Sequence, residues 1–294
     1  MTTTTTAQDL FPTRSGEEAG FIERTNPTVW GTDGPFSADE LGRHEERGFT
    51  ILPDFISDAD VRTYLDELER LADDHVGDER LITERTTGAV RSVFQVEKLS
   101  PVIDALARSP KVLDRARQLL GSEVYLHQTR INYMPSFTGS GFYWHSDFET
   151  WHAEDGIALP RTVSLSIALT DNYPFNGGLM VMPGSHKLFA PGIGETPADN
   201  HKASLQEQKV GVPTHEAITE LAERCGIDQF TGAAGSALWF DSNIMHGSGN
   251  NITPYPRSNV FLVFNSVENT PVAPFAAKEP RPEYIASRDF TPLV

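Results

Sequence analysis

The sequence predicts a mainly β protein, an antiparallel sandwich or barrel with N-terminal helices packed on its outside. The strongest capped, amphipathic helical patterns lie before residue 121. From residue 123 the chain turns to short β-rich segments, and clusters of Gly, Pro and Asn punctuate them.

Residues 1 to about 35 carry a threonine run and the turn-rich GTDGP. They are expected to form an irregular N-terminal segment on the surface, without chemistry. Residues 36–294 should then form one domain. Ser37 followed by Glu40 is a capping box, and the helix it opens runs through Leu41 to a stop at Gly48. A second helix opens at Ser57 with Asp60 and repeats Val61, Leu65, Leu68 and Leu71 at helical spacing. A third is expected from Ser100-Pro101 to Leu119-Leu120, with its stop at Gly121. Strand-like segments follow at Val124 to Tyr133, Gly141 to Trp144, Thr162 to Thr170, Leu179 to Met182, Ser236 to Phe240 and Asn259 to Val267. In the third of these, Val163, Leu165, Ile167 and Leu169 make a large apolar face, and Ser164, Ser166 and Ala168 a small one with room for a ligand. A long insertion at about 190–230, with a short helix near Ala217 to Arg224, interrupts the series.

Bulk properties exclude several classes. With 38% hydrophobic and 22% charged residues the chain has the composition of a folded domain. The excess of 41 acidic over 24 basic residues gives −17, with no basic stripe, so no nucleic-acid partner is expected. That charge serves solubility first and raised internal salt second. A lone cysteine, Cys225, fits a reducing cytoplasm, and neither a signal peptide nor a run of about 18 apolar residues is present, so no membrane span is expected. Nothing in the sequence decides between a monomer and a homodimer.

The chemistry-bearing stretch is GFYWHSDFETWH at 141–152. His145 and Asp147, one residue apart, would point to the same side of an extended strand and bind one ion. His246 in MHGSGNN, between the strand-like SALWF and a glycine-rich turn, offers a third ligand. Two histidines and a carboxylate make the facial triad of iron(II) oxygenases, although zinc accepts the same donors. Arg257, on the edge of the next β segment, suits the distal carboxylate of a chelating dicarboxylate cosubstrate; taken alone, it reads as a surface arginine in PYPRSN. Other residues invite plainer readings. His152 is expected to be exposed or hydrogen-bonded, His186 to order a turn, and Cys225 to be a packed thiol.

The HxD pair, GGLMVMPGSH at 177–186, MHGS and the Arg257 spacing together resemble the phytanoyl-CoA-hydroxylase-like superfamily of 2-oxoglutarate dioxygenases. More narrowly, FYWHSDFETWHAEDG, RTVSLSIALT, TPYPRSNVFLVFNSVEN and RPEYIASRDFTP resemble the bacterial ectoine hydroxylases along nearly the whole chain. The resemblance implies a jelly-roll, double-stranded β-helix core of cupin type. It implies iron(II), 2-oxoglutarate and O2 as cofactor and cosubstrates, and ectoine, a compatible solute, as the small molecule converted to 5-hydroxyectoine. It assigns His145, Asp147 and His246 to iron and Arg257 to 2-oxoglutarate, with Gln128 and Trp151 at the substrate and Thr150, Ser166, Phe264 and Arg281 at further pocket positions. Asp147 argues against a halogenase, which lacks that carboxylate. One departure stands out: where the family reads R-I-N-x-K-P, with the lysine at 2-oxoglutarate, this chain has Met134. The alternatives are a hydroxylase of another small cyclic amino acid such as proline, and a metal-binding solute sensor without turnover.

Overall fold

The computed structural model describes residues 8–15 and 20–294, so the threonine run at 2–6 lies outside the described residues. The chain order begins β1 (Ile22–Glu23), α1 (Ala38–Arg47), β2 (Phe49–Leu52), α2 (Asp58–Asp74), β3 (Leu81–Thr83), β4 (Val90–Phe94), α3 (Val96–Leu99), α4 (Pro101–Arg108) and α5 (Pro110–Leu120). It continues with β5 (Val124–Met134), β6 (Phe142–His145), α6 (Asp147–Thr150), β7 (Thr162–Ala168), β8 (Leu179–Val181), β9 (Leu188–Phe189) and α7 (Asn200–Ser204). Last come α8 (His215–Cys225), β10 (Asp228–Gln229), β11 (Ala237–Asp241), β12 (His246–Ser248) and β13 (Arg257–Ser266). Among the described residues no helix is long and apolar enough to cross a membrane.

Both capping boxes form as read, and Gly48 ends α1 in the left-handed region, with φ of 80°, which a side chain would strain. The third helix is two helices. Ser109 is extended and Pro110 starts α5, because proline lacks the N–H that would continue the helix and disfavours α geometry in the residue before it. Strands β2, β3, β4 and β12 are too short to stand out by alternation and are held by their neighbours' ladders.

The larger sheet has the order β2-β11-β7-β13-β5-β4-β3 and the smaller β10-β8-β12-β6, all pairs antiparallel. The two sheets form a jelly roll of cupin type, closed on one side by helices. Alternation decides which face each side chain takes. Val163, Leu165, Ile167 and Leu169 from β7 and the residue after it join Val260, Leu262 and Phe264 of β13 in the outer core, under Leu68 and Leu71 of α2, Ile103 of α4 and Leu119 of α5. Phe261 and Val263 face the other way, into a second core with Val181, Phe240 and Ile244. Phe264 is therefore corrected from a pocket position to an outer core residue, lying parallel to Trp239 with ring centroids 6.2 Å apart. Its even position on β13 puts it opposite to Arg257, and no odd residue of that strand can trade faces with it.

The segment before α1 is irregular apart from β1, which pairs with β9, but it is not peripheral. Phe11, Arg14, Arg24 and Thr28 are buried, and Arg24 reaches Asp241 at 2.8 Å. An apolar anchor and two buried cations hold it where composition alone pointed to the surface.

Candidate metal centre and adjoining cavity

Strands β6 and β12 pair so that His145 stands directly opposite His246, with ring centroids 4.3 Å apart. Each ring has its Nδ1 against a main-chain carbonyl, Tyr143 O at 2.7 Å and Ile244 O at 3.0 Å. Those contacts fix Nδ1 as the protonated nitrogen and leave both Nε2 atoms as lone-pair donors. Asp147 arrives differently from the strand geometry expected of an HxD pair. The strand ends at His145, Ser146 caps α6 by accepting from Glu149 N at 3.2 Å, and Asp147 is the first helical residue. The turn nonetheless brings its carboxylate to 3.7 Å from His145 Nε2 and 3.9 Å from His246 Nε2.

The three buried ligand atoms lie within 4.8 Å of one another, and among the described residues they are the one group of its kind. Asp147 Oδ2 is buried without a hydrogen-bond partner, as expected of an atom reserved for a cation. Burial works against the Asp147 charge, but His246 and His145 hold the carboxyl at about 2. Burial, then the neighbouring His145, push His246 down to about 4 and keep its ring neutral. Two imidazoles, each with Nε2 free, and one carboxylate facing the same point fit a divalent metal with further positions open.

These ligands open onto a cavity walled by both sheets. Alternate residues line it, Gln128, Arg130, Asn132 and Met134 from β5 and Arg257, Asn259 and Phe261 from β13, and two of them, Arg130 and Arg257, are cations. Arg257 Nε is buried and unpartnered, and its Nη2 meets only the Met134 sulfur, at 3.7 Å. Burial, then Arg91, lowers the guanidinium to about 10, so it stays charged at neutral pH. Arg130 is likewise lowered to about 10, chiefly by burial; its Nε has no partner and its guanidinium lies 4.2 Å over the Phe261 ring. Arg91 is neutralised by Glu84 at 2.8 Å. Two guanidinium groups without counterions against one carboxylate, itself placed to hold a cation, make this an anion-accepting cavity.

At the other end stand Thr150, Trp151 and Arg281. Trp151 begins a π-helical turn, Trp151–Asp155, closed by Gly156 at φ of 87°; a Cβ there would come within 2.1 Å of Val272 O. Asp155 holds Arg281 through Nε at 2.8 Å and Nη2 at 2.5 Å, and meets His127, whose ring packs edge-on against Trp151. Burial opposes the Asp155 charge, yet Arg281 and His127 keep its carboxyl far below the usual range. Gln128 donates to Ile285 O and accepts from Arg130, while Ser166 accepts from Asn259 at 2.6 Å.

All the sequence-predicted site residues except Phe264 thus line one cavity. Sequence reasoning missed Arg130, Asn132, Asn259 and Phe261. Alternation from Gln128 and Arg257 identifies all four. His152 is buried and hydrogen-bonded to Ile157 O and Asp9, His186 meets Glu45 O, and Cys225 is half-buried in a small apolar cluster.

Fold and site together define a mononuclear metal centre in a jelly roll, beside a cavity built for an anion. The chain belongs to the phytanoyl-CoA dioxygenase (PhyH) family, whose model matches residues 44–259. It is 62% identical to the ectoine dioxygenase of Nocardia farcinica, over 97% of this chain and 95% of that one. To that of Streptomyces avermitilis it is 56% identical, over 98% and 99%. Among solved structures it resembles EctD from S. alaskensis with 2-oxoglutarate and 5-hydroxyectoine, at 40% identity, a TM-score of 0.88 and 97% of each chain. The form with bound Fe matches at a TM-score of 0.87.

Proposed function

We propose that this protein hydroxylates ectoine to 5-hydroxyectoine, with iron(II) at His145, Asp147 and His246 and with 2-oxoglutarate and O2 as cosubstrates. The observation that carries this reading is the meeting, in one cavity, of a buried triad with an unpartnered carboxylate oxygen and two guanidinium groups without counterions. The chain's likeness to curated ectoine dioxygenases over nearly its full length supports the substrate. Bound iron supplies oxidative chemistry, in which O2 and 2-oxoglutarate give succinate, CO2 and the oxygen inserted into the substrate.

The chain's own residues do the rest. Arg257 holds the distal carboxylate of 2-oxoglutarate in a pocket shared with Met134. Trp151 offers an aromatic face to the delocalised cation of ectoine, and Arg281 and Thr150 offer donors to its carboxylate. Gln128 and Ser166, themselves held by Ile285 and Asn259, narrow the cavity and exclude water. The half-buried lone thiol Cys225 fits a reducing cytoplasm.

The test is anaerobic loading with Fe(II), 2-oxoglutarate and ectoine, followed by air and mass spectrometry. One oxygen atom added to ectoine, with one succinate per product, is the expected result. Succinate without ectoine product, or faster turnover of another cyclic amino acid such as proline, would overturn the substrate. No succinate under any condition would point to a sensor.

A further inference from the structure

Arg14 lies far in sequence from the His145, Asp147 and His246 triad and outside the cavity lining, yet its guanidinium is almost wholly buried. It makes a two-pronged contact with Glu149, Nε to Oε1 at 2.9 Å and Nη2 to Oε2 at 3.0 Å. Its Nη1 donates to Glu154 Oε1 at 2.6 Å and to Thr196 Oγ1 at 2.9 Å. Glu149 and Glu154 bracket Trp151 on the helical turns that begin at the ligand Asp147. Thr13 adds a contact to Glu149 Oε1 at 2.7 Å.

The same guanidinium sits at the neck of a loop. Ile193 and Val212 bond across its base, Gly211 N donates to Ile193 O, and Arg14 N donates to Gly192 O at 2.9 Å. Gly211 passes so close that a Cβ would lie 2.5 Å from both Arg14 Nη2 and Glu149 Oε2. Farther along this loop Ser204, Leu205 and Gln208 line the cavity, and Gln208 donates to Thr150 at 3.1 Å. Asn200 joins in by donating to Glu154 at 2.7 Å. Arg14 holds a left-handed backbone, φ of 56°, uncommon for a side-chain-bearing residue and sustained only where surroundings over-determine it.

We propose that Arg14 is a positioning residue for the substrate end of the site: one buried cation fastens the Asp147–Asp155 turns, which carry Trp151, to the 193–212 loop that walls the cavity. The inference rests on the hydroxylase reading and adds to it a residue that touches neither metal nor substrate. Among the described residues, Arg257 and Met134 at the cosubstrate end share no hydrogen bond or ion pair with Arg14, Glu149 or Glu154. Loss of Arg14 should therefore split the two ends: recognition of substrate suffers, and binding of iron and 2-oxoglutarate does not. A buried fork that satisfies two carboxylates cannot be replaced by an ammonium without losing part of the geometry.

The experiment compares Arg14→Met, Arg14→Lys and Glu154→Gln with the wild type. Arg14→Met should raise the KM for ectoine about tenfold or more and release succinate in excess of hydroxylated product, since small displacements at a reacting centre cost one to two decades. Iron content and anaerobic 2-oxoglutarate affinity should stay within about twofold, and Arg14→Lys should fall between. Amide exchange in the Fe(II) and 2-oxoglutarate complex should show the 149–155 and 194–210 segments losing protection together. Wild-type KM and coupling in the variants despite a lowered Tm would overturn the proposal, as would parallel loss of both ligands. If Arg14→Met does not fold, Arg14→Lys and Glu154→Gln decide on the same readouts. If the wild type leaves ectoine unchanged, the assigned substrate falls, and Arg14 is judged on exchange alone: joint loosening supports it and loosening of the N-terminal segment only overturns it.

Discussion

Met134 pairs with Arg257 across β5 and β13 and lies between Gly139 and Gly177, where a Cβ on either glycine would come within 2.4 Å of it. A thioether there cannot donate a charged hydrogen bond, so on the proposed reading Arg257 would hold the distal carboxylate with no cation from position 134. Met134→Lys should tighten 2-oxoglutarate about tenfold or more, since a charged hydrogen bond contributes about 1.5–3 kcal/mol. Anaerobic titration followed by the metal-to-ligand charge-transfer band measures it, and unchanged or weaker binding would detach position 134 from the cosubstrate. At the metal, His145→Ala, Asp147→Ala and His246→Ala should each abolish hydroxylation and lower iron content, because two ligands hold iron weakly. Near-normal turnover in any of them would remove that residue from the centre. An HxD alone is common by chance, and the triad is legible in the sequence only in context, through the later histidine, the Arg257 spacing and the family resemblance. Arg14 is not, since its partner Glu149 lies 135 positions away and nothing local marks either as buried.

Strand β13 shows what alternation alone determines. Odd residues Arg257, Asn259 and Phe261 face the cavity, and even residues Val260, Leu262 and Phe264 face the helices. Phe264→Ala should cost about 3–5 kcal/mol of stability, as large cavities in packed cores do, and leave the KM values of the folded enzyme near wild type. Phe261→Ala, which strips the ring from under Arg130, should raise KM for substrate or cosubstrate with a smaller loss in Tm. Chemical denaturation and steady-state kinetics on both variants separate the faces, and a reversed pattern would show the register to be wrong. The face is readable from the sequence once Arg257 is placed inside. The π-helical turn after Asp147 is not, because FETWHAED carries no proline and no early glycine, and only the partners of Glu149, Glu154 and Asp155 show why the chain coils there. Likewise, a single uninterrupted third helix ignores Pro110, a break that is local and visible.

On the scale of the whole molecule, folding traps neutral histidines beneath a strongly acidic surface. Burial pushes His44 down to about 4, and burial with Arg24 does the same to His186. In the unfolded chain each would bind a proton near pH 6.5, so between about pH 6.5 and 4 the unfolded state holds more protons and stability falls as pH falls. The unfolding free energy from denaturant titration should decline from pH 7 to 5 by up to about 1.4 kcal/mol per pH unit for each histidine, and His186→Gln should flatten that slope. An unchanged slope would mean that His186 is protonated in the folded state. The sheet order β2-β11-β7-β13-β5-β4-β3 has a further bearing, on synthesis. The strand placed at the centre, between β7 and β5, is the last one the ribosome delivers. Until residues 257–266 emerge, the sheet exists as two halves, each with an unpaired inner edge of the kind that recruits other chains. The three candidate ligands, His145, Asp147 and His246, are thus all translated before the strand that joins the sheet and closes the cavity beside them.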